Sequence, residues 1–387
     1  MKPNRNFPGR KGGASVPRFK FSEIVNNVRE SRAPTPADEA SYIGLEHLDS
    51  GSLFVSRWGS DVPLKGHKLQ MKKGDLLFGK RNAYLRRAAI APHDGLFSAH
   101  GMVFRPNVKV VDKRLFPFFV GSDAVFDAAI RISVGSLSPT VNWRDLAELE
   151  FELPPLEVQP VIAEKLWAAN ETRESYKRLL SIIDDLVKSQ FVEMFGTAFK
   201  TIQLKDCCSE ILSGKTPSMS HSEFYGGDVP FIKSGDIRAK YVSKGILSLT
   251  DSALESGEGR YVPAGSIIVV VRSAALQHEF RHAIASCPIV INQDLKALVP
   301  KQGYRSDFIY SAISSAIPEL LTKVQTMVTS HIDLDDLLSI GIPQVDLNAQ
   351  HRFAAFLSAT DKSKFAVRQW LTKRDNWIRM LAKMAFG

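Results

Sequence analysis

Two stretches of this chain place apolar residues at alternating steps of four and three. From Ile162 the steps reach Leu166, Ala169, Arg173, Tyr176, Leu180, Ile183, Val187, Gln190 and Met194. From Phe353 they reach Leu357, Thr360, Lys364, Val367, Leu371, Arg374, Ile378, Leu381 and Ala385. That is the coiled-coil period, and no Pro or Gly interrupts either run before Gly196 or Gly387. Each run therefore predicts one long helix, roughly 50 Å at about 1.5 Å per residue. Of two packings, the second is the favoured one. Each stripe can bury against its own globular domain, or the helices can pair as an antiparallel spacer with Arg173 and Lys364 at matching seam positions. Elsewhere the pattern is mixed α/β. "GDLLFGKR", "AAIAP", "PAGSIIVVVRS" and "PIVINQDLKALVP" predict strands, whereas "RLFPFFVGSDAVFDAAIRIS" and "SDFIYSAISSAIPELLTKVQ" predict helix-rich segments.

The two halves also match each other. A shift of 191 places Gly74-Asp75-Leu76 on Gly265-Ser266-Ile267, Val141-Asn142 on Ile332-Asp333, and Asp145-Leu146 on Asp336-Leu337. After a two-residue slip and its reversal, Gln159 falls on Gln350 and Phe195-Gly196 on Phe386-Gly387. This period is too long for a solenoid and implies a duplicated unit of one globular domain plus one long helix. The expected division is a basic mobile arm at 1–15, a domain at 16–152 and a helical segment at 153–196. A second domain at 197–345 and a second helical segment at 346–387 complete the chain.

Charge refines the picture. The net charge is +9, spread as +7 over 1–152, −2 over 153–196, −1 over 197–345 and +5 over 346–387. An anionic partner is suggested, although the second domain offers it no bulk attraction. The longest strongly apolar run, Ser266–Val271, is far short of a bilayer span, and no secretory leader opens the chain. Three cysteines without a CxxC spacing argue against disulfides or a zinc site and fit a cytoplasmic protein.

At this point the residues resemble a family. "ILSGKTPSMSHSEFYGGDVPFIKSGDI" (Ile211 to Ile237) resembles the start of a target-recognition domain in specificity subunits of type I restriction-modification systems. "LPPLEVQ" (Leu153 to Gln159), followed by a helix ending "KSQFVEMFG", resembles their central spacer. "LLFGKRNAYLRRAAIA" and "GSLSPTVNWRDLAELEFELP" resemble another variant of the same domain. The resemblance implies two recognition domains separated by two long antiparallel coiled-coil helices as a pseudo-twofold repeat. It implies a non-catalytic chain that reads a bipartite, asymmetric target in double-stranded DNA. Partners would be methyltransferase subunits, which bring S-adenosylmethionine, and a restriction motor-nuclease subunit, with no cofactor in this chain.

The residues themselves offer no catalytic site. The only Pro-Pro, Pro154-Pro155, sits between leucines and lacks the amide and ring of an adenine methyltransferase corner. "SGKTPS" at Ser213–Ser218 lacks the first glycine of a phosphate loop, since that position is Ser209. No metal site is expected. For DNA, one dense run carries Lys65, Lys68, Lys72, Lys73, Lys80, Arg81, Arg86 and Arg87 against one acid, Asp75, with His67, Asn82 and Tyr84 interleaved. Lysines suit phosphates, while Arg and Asn can pair bidentately with guanine and adenine. Ser98 and His100 could complete that surface. In the second domain the candidates are Lys215, Lys233, Arg238, Lys240, Arg272, Gln277, His278, Arg281 and His282. Trp167, Phe191, Trp370 and Trp377 fall on the outer helix faces as a candidate docking surface. Rival readings are a freestanding duplex-DNA-binding regulator and a nuclease whose carboxylate cluster the sequence does not display.

Overall fold

The computed structural model describes residues 17–196, 200–326 and 330–387. The basic arm at 1–15 lies outside these residues. The chain forms two compact units. One holds residues up to 178 together with 368–387, and the other holds 179–367. Each long helix is thus shared, half in one unit and half in the other.

The first unit is built on a four-stranded antiparallel sheet in the order Val25–Val28, Met102–Pro106, Leu76–Phe78, Ala88–Ile90. A three-stranded sheet of Ser31–Arg32, Lys68–Met71 and Gly95–Phe97 lies with it. Side chains alternate across a strand, so Leu76 and Phe78 face one core, with Phe21, Phe104 and Phe126, while Leu77 faces another, with Ile43, Phe97 and Val103. Both faces are covered. That is why "DLLFG" reads as a continuous apolar run without polar alternation. Asp75 is buried where this strand begins and is held by Arg105 at 2.7 and 2.9 Å.

The second unit repeats the plan. Its main sheet runs Cys208–Ser213, Leu295–Pro300, Ile267–Val270, His282–Ala285, with Tyr241–Val242 added at the edge. Ile267 and Val269 face a core with Phe308 of the helix Ser306–Thr322, and Ile268 and Val270 face the opposite one. The turns before the paired strands use Gly74 and Gly265 at φ of 91° and 83°. Those angles strain any residue with a Cβ, which explains why the repeat retains glycine there.

The long helices span Gln159–Phe195 and Leu347–Phe386. Their starts are fixed by two buried glutamines in matching roles. Gln159 Oε1 accepts from Asp112 N–H (2.6 Å) while its Nε2 donates to the carbonyls of Val110 and Pro154. Gln350 Oε1 accepts from Arg305 N–H (2.9 Å) while its Nε2 donates to those of Gly303 and Val345. Every position of both four-three stripes is buried or half-buried. The favoured helix pairing is present, and so is the packing of each stripe on a domain core. Ile162 and Leu166 share the first unit's core with Leu381, Ala385 and Phe386, so the start of one helix meets the end of the other. In the second unit Phe195 joins Phe353 and Leu357. The helices therefore pair antiparallel within each unit. Arg173 Nη1 lies 3.8 Å from Asp375, and Lys364 is ion-paired with Asp184, the same pair displaced by 191.

Three of the four outer-face aromatics are corrected by the structure. Phe191 is 4% exposed and packs on Phe195, Phe308 and Phe353, because the domain's own helix Ser306–Thr322 widens the buried arc there. Trp167 and Trp377 are half-buried against the first core, with Arg374 over the Trp377 ring. Trp370 stays outside, 55% exposed beneath Lys373.

Candidate nucleic-acid interface

In the first unit, residues 79–87 join the strands Leu76–Phe78 and Ala88–Ile90, and Gly79 N–H donates to Arg87 O (2.9 Å) to close the loop. Asn82 and Arg86 take the left-handed region at φ of 55° and 48°, a conformation that costs side-chain-bearing residues energy and clusters at functional loops. They flank the turn Ala83–Leu85, which holds Tyr84 in solvent, 55% exposed. A hairpin braces the loop. Val134 and Thr140 exchange backbone hydrogen bonds, and Gly135 turns at φ 116°. Asn82 N–H donates to Pro139 O (2.7 Å) and Arg81 Nη2 to Ser138 Oγ (3.0 Å). At the hairpin tip Leu137 is 95% exposed. Gly135 and Pro139 mark a turn in the sequence, but only the fold brings that turn against the basic loop.

The dense basic run does not form one patch. Lys65, Lys68 and His67 lie at the end of the sheets where residues 79–87 and the exposed His100 emerge, since Leu69 pairs with Phe97 and Phe78 with Met102. Lys72 and Lys73 sit at the opposite end of Leu76–Phe78, where Gly74 N–H donates to Ala91 O and Lys73 N–H to Asp94. Several cations are engaged within the protein. Arg86 is ion-paired with Asp123 (2.8 Å) and Asp127. Arg87 donates to the carbonyls of Leu45 and Arg81. Burial holds the charged forms of Lys80 and Arg87 below their usual pKa. Asn82 Oδ1 is buried without a hydrogen-bond partner. Without DNA, Arg86 and Arg87 thus have partners within the unit, and Asn82 and Arg86 shape the loop. Arg81 remains exposed.

The second unit reproduces the junction. Residues 271–281 join Ile267–Val270 to His282–Ala285. Arg272 forms a backbone bridge with His331, and Ser273 N–H donates to Ser330 O (3.0 Å). A shift of 191 turns these into the Arg81–Thr140 bridge and the Asn82–Pro139 bond. Arg272, like Arg81, is exposed, as are Gln277 and His278. Lys215 and Lys233 reach the same end of the unit, because Lys215 N–H donates to Ile291 O and Asn292 N–H to Ile232 O. Lys215 is paired with Glu258 (2.7 Å), Arg238 donates to Gly235 O, and Lys240 is paired with Asp361. Exposed Gln293, beside Thr216, is a polar side chain at this end that the sequence did not single out.

Two candidates here belong to the architecture. Arg281 forks onto Glu279 at 2.8 and 2.6 Å. His282 is stacked on Tyr310 (4.2 Å) with Ser314 Oγ 2.8 Å away, and burial pushes its imidazole down to about 4. Gly214 of "SGKTPS" serves close approach, since a Cβ there would lie 2.1 Å from Asn292 O. Burial raises the Cys207 and Cys208 thiols to about 12 and about 11, unsuited to nucleophilic work. Among the described residues no group of three or more His, Cys, Asp or Glu is placed to hold a metal.

A family model described as the type I restriction modification DNA specificity domain matches residues 31–181 and 197–372. The chain belongs to this family. It is similar to the specificity subunit of the Escherichia coli type I restriction enzyme EcoR124I/EcoR124II, 29% identical over 163 residues. That match covers 41% of this chain and 40% of the relative. The MjaIX specificity subunit of Methanocaldococcus jannaschii is also 29% identical, over 41% of this chain and 37% of its own length. The chain thus spans about two fifths of these relatives where it matches them. Among solved structures, one titled for complex assembly and conformational transition of the type I R-M system shares the fold at TM-score 0.54. It is 20% identical and covers 99% of both chains. The S subunit from M. genitalium aligns at TM-score 0.51 and 14% identity over 100% of this chain and 98% of its own. Among the described residues no helix is long and apolar enough to cross a membrane.

Proposed function

We propose that this chain is the cytoplasmic, non-catalytic specificity subunit of a type I restriction-modification complex and reads a bipartite, asymmetric target in double-stranded DNA. The observation that carries the reading is the duplicated loop-and-hairpin junction, which presents one exposed arginine, Arg81 or Arg272, at matching positions in two units of otherwise different surface. A guanidinium held by its own backbone bridge suits guanine O6 and N7, and Tyr84, His100, Gln277 and His278 lie along the same loops or ends. Lys65, Lys68, Lys80, Lys215, Lys233 and Arg238 fit phosphates, which set affinity and its salt dependence. Lys72 and Lys73, at the far end of their strand, are outside this surface. Methyltransferase subunits, which carry S-adenosylmethionine, and a restriction motor-nuclease subunit are the partners that membership of this family supports.

The test is a methylome of the host with and without the chain, followed by Arg81→Ala and Arg272→Ala. Deleting the chain should erase methylation at one split adenine motif. Each substitution should relax one half-site only, by about 1–3 kcal/mol at a single base pair. Survival of every methylated motif after deletion would leave a freestanding DNA binder as the better account.

A further inference from the structure

The two units differ sharply at one notch beside the long helices. In the first, the Trp167 indole fills it, 5.0 Å from the Phe118 ring and 6.1 Å from Phe54, and Nε1–H donates to Arg114 O at 2.9 Å. The helix shift of 191 places Ser358 where Trp167 stands. The glutamine clamps set a register of 193 for the segment beneath, placing Ser311 on Phe118 and Asp307 on Arg114. Phe54 bridges to Ile90 as Tyr241 pairs with Ile284. Two serines thus replace the indole and phenyl rings. What is left is an open groove of ≈ 470 Å³ lined by Tyr241, Asp307, Leu357, Ser358, Asp361 and Phe365. Tyr241 is 51% exposed and Phe365 64% exposed. Lys240, Arg305 and Lys362 also line it. Lys240 is held by Asp361 and Arg305 by Asp307, so Lys362 leaves the rim net positive.

We propose that this groove is an aromatic socket for a partner protein subunit, which inserts an indole-like side chain flanked by a carboxylate. The occupant follows from the duplication, since the first unit seats an indole at this position from its own helix. The carboxylate follows from the three cations that face only two acids. Desolvated aromatic side chains seated in pockets are the usual anchors of protein interfaces. The inference rests on the reading above for the partner's existence, and the experiment separates the two.

The full chain is titrated with the methyltransferase subunit of its host by calorimetry, as wild type, Ser358→Trp and Lys362→Glu. Ser358→Trp fills the socket from within and should weaken association at least tenfold. Lys362→Glu, at an exposed position that leaves the fold intact, should weaken it severalfold. Wild-type association that both variants retain in full overturns the socket and leaves the reading of the chain standing. If the wild type binds no such subunit, that reading falls, and ligand-detected NMR with free indole decides the socket. Saturable binding lost in Ser358→Trp supports it, and no saturable binding overturns it.

Discussion

The two units share a sheet order, a glutamine clamp and a loop-and-hairpin junction, yet they diverge at a helix flank, around the site loop and at one buried strand position. In the first, an indole closes the helix flank and the site loop is held by Arg86 on two aspartates. In the second, the flank is open at Ser358, and a neutral histidine stands where the first unit has Ala88, since Phe78 pairs with Ala88 as Val269 pairs with His282. Backbone hydrogen bonds and core volume are costly to change, so duplication keeps them. Surface side chains change at little cost, which is the freedom that the proposed reading of two different half-sites requires.

The strongest way to break this comparison is at the helix ends. Phe386 closes the first core against Phe119, and Phe195 closes the second against Phe308. Phe386→Ala should cost about 3–5 kcal/mol in the first unit, and Phe195→Ala a like amount in the second. Hydrogen exchange read peptide by peptide checks the assignment. Loss of protection in the Ile267–Val270 strand on Phe386→Ala would contradict it.

A smaller contrast is set by pH. His282 is buried neutral with its pKa lowered to about 4, against an ordinary value near 6.5 when unfolded. Protons therefore bind the unfolded state preferentially between these values. The second unit should be fully stable above about pH 6.5 and lose roughly 3 kcal/mol as pH falls towards 4. The first unit has alanine at that position, and although burial also lowers the pKa of its His47, its loss over the same range should be the smaller one. All five tryptophans lie in the first unit, so their fluorescence follows it alone, while exchange at Ile267–Val270 follows the second. Equal acid sensitivity of the two would refute the contrast.

The finest probe is the repeated seam pair. Arg173 keeps Glu174 and Gly51 O as partners when Asp375 is removed, whereas Lys364 has Asp184 as its ion partner. Asp184→Asn should therefore destabilise more than Asp375→Asn. Both effects should stay below about 1 kcal/mol, because each carboxylate is roughly half exposed. Chemical denaturation of the two variants side by side resolves the order.

Much of this architecture was legible in the chain itself. The four-three stripe marked both helices to within a few residues, and the strands announced themselves as apolar runs bounded by Gly, because covering both faces leaves no room for polar alternation. The shift of 191 anticipated the paired glutamines, the closing phenylalanines and the matching seam cations, since those side chains are fixed by backbone contacts that a repeat must preserve. Sequence could not say which cations are spent inside the protein. Arg86 meets Asp123 and Asp127 across more than thirty positions, and Lys72 parts from Arg81 because a strand carries the chain to the other end of its sheet. Nor could it place Phe191 or Trp167. Helical spacing gives the side of a helix on which a residue lies, but only the packed domain decides how wide an arc of that helix is covered.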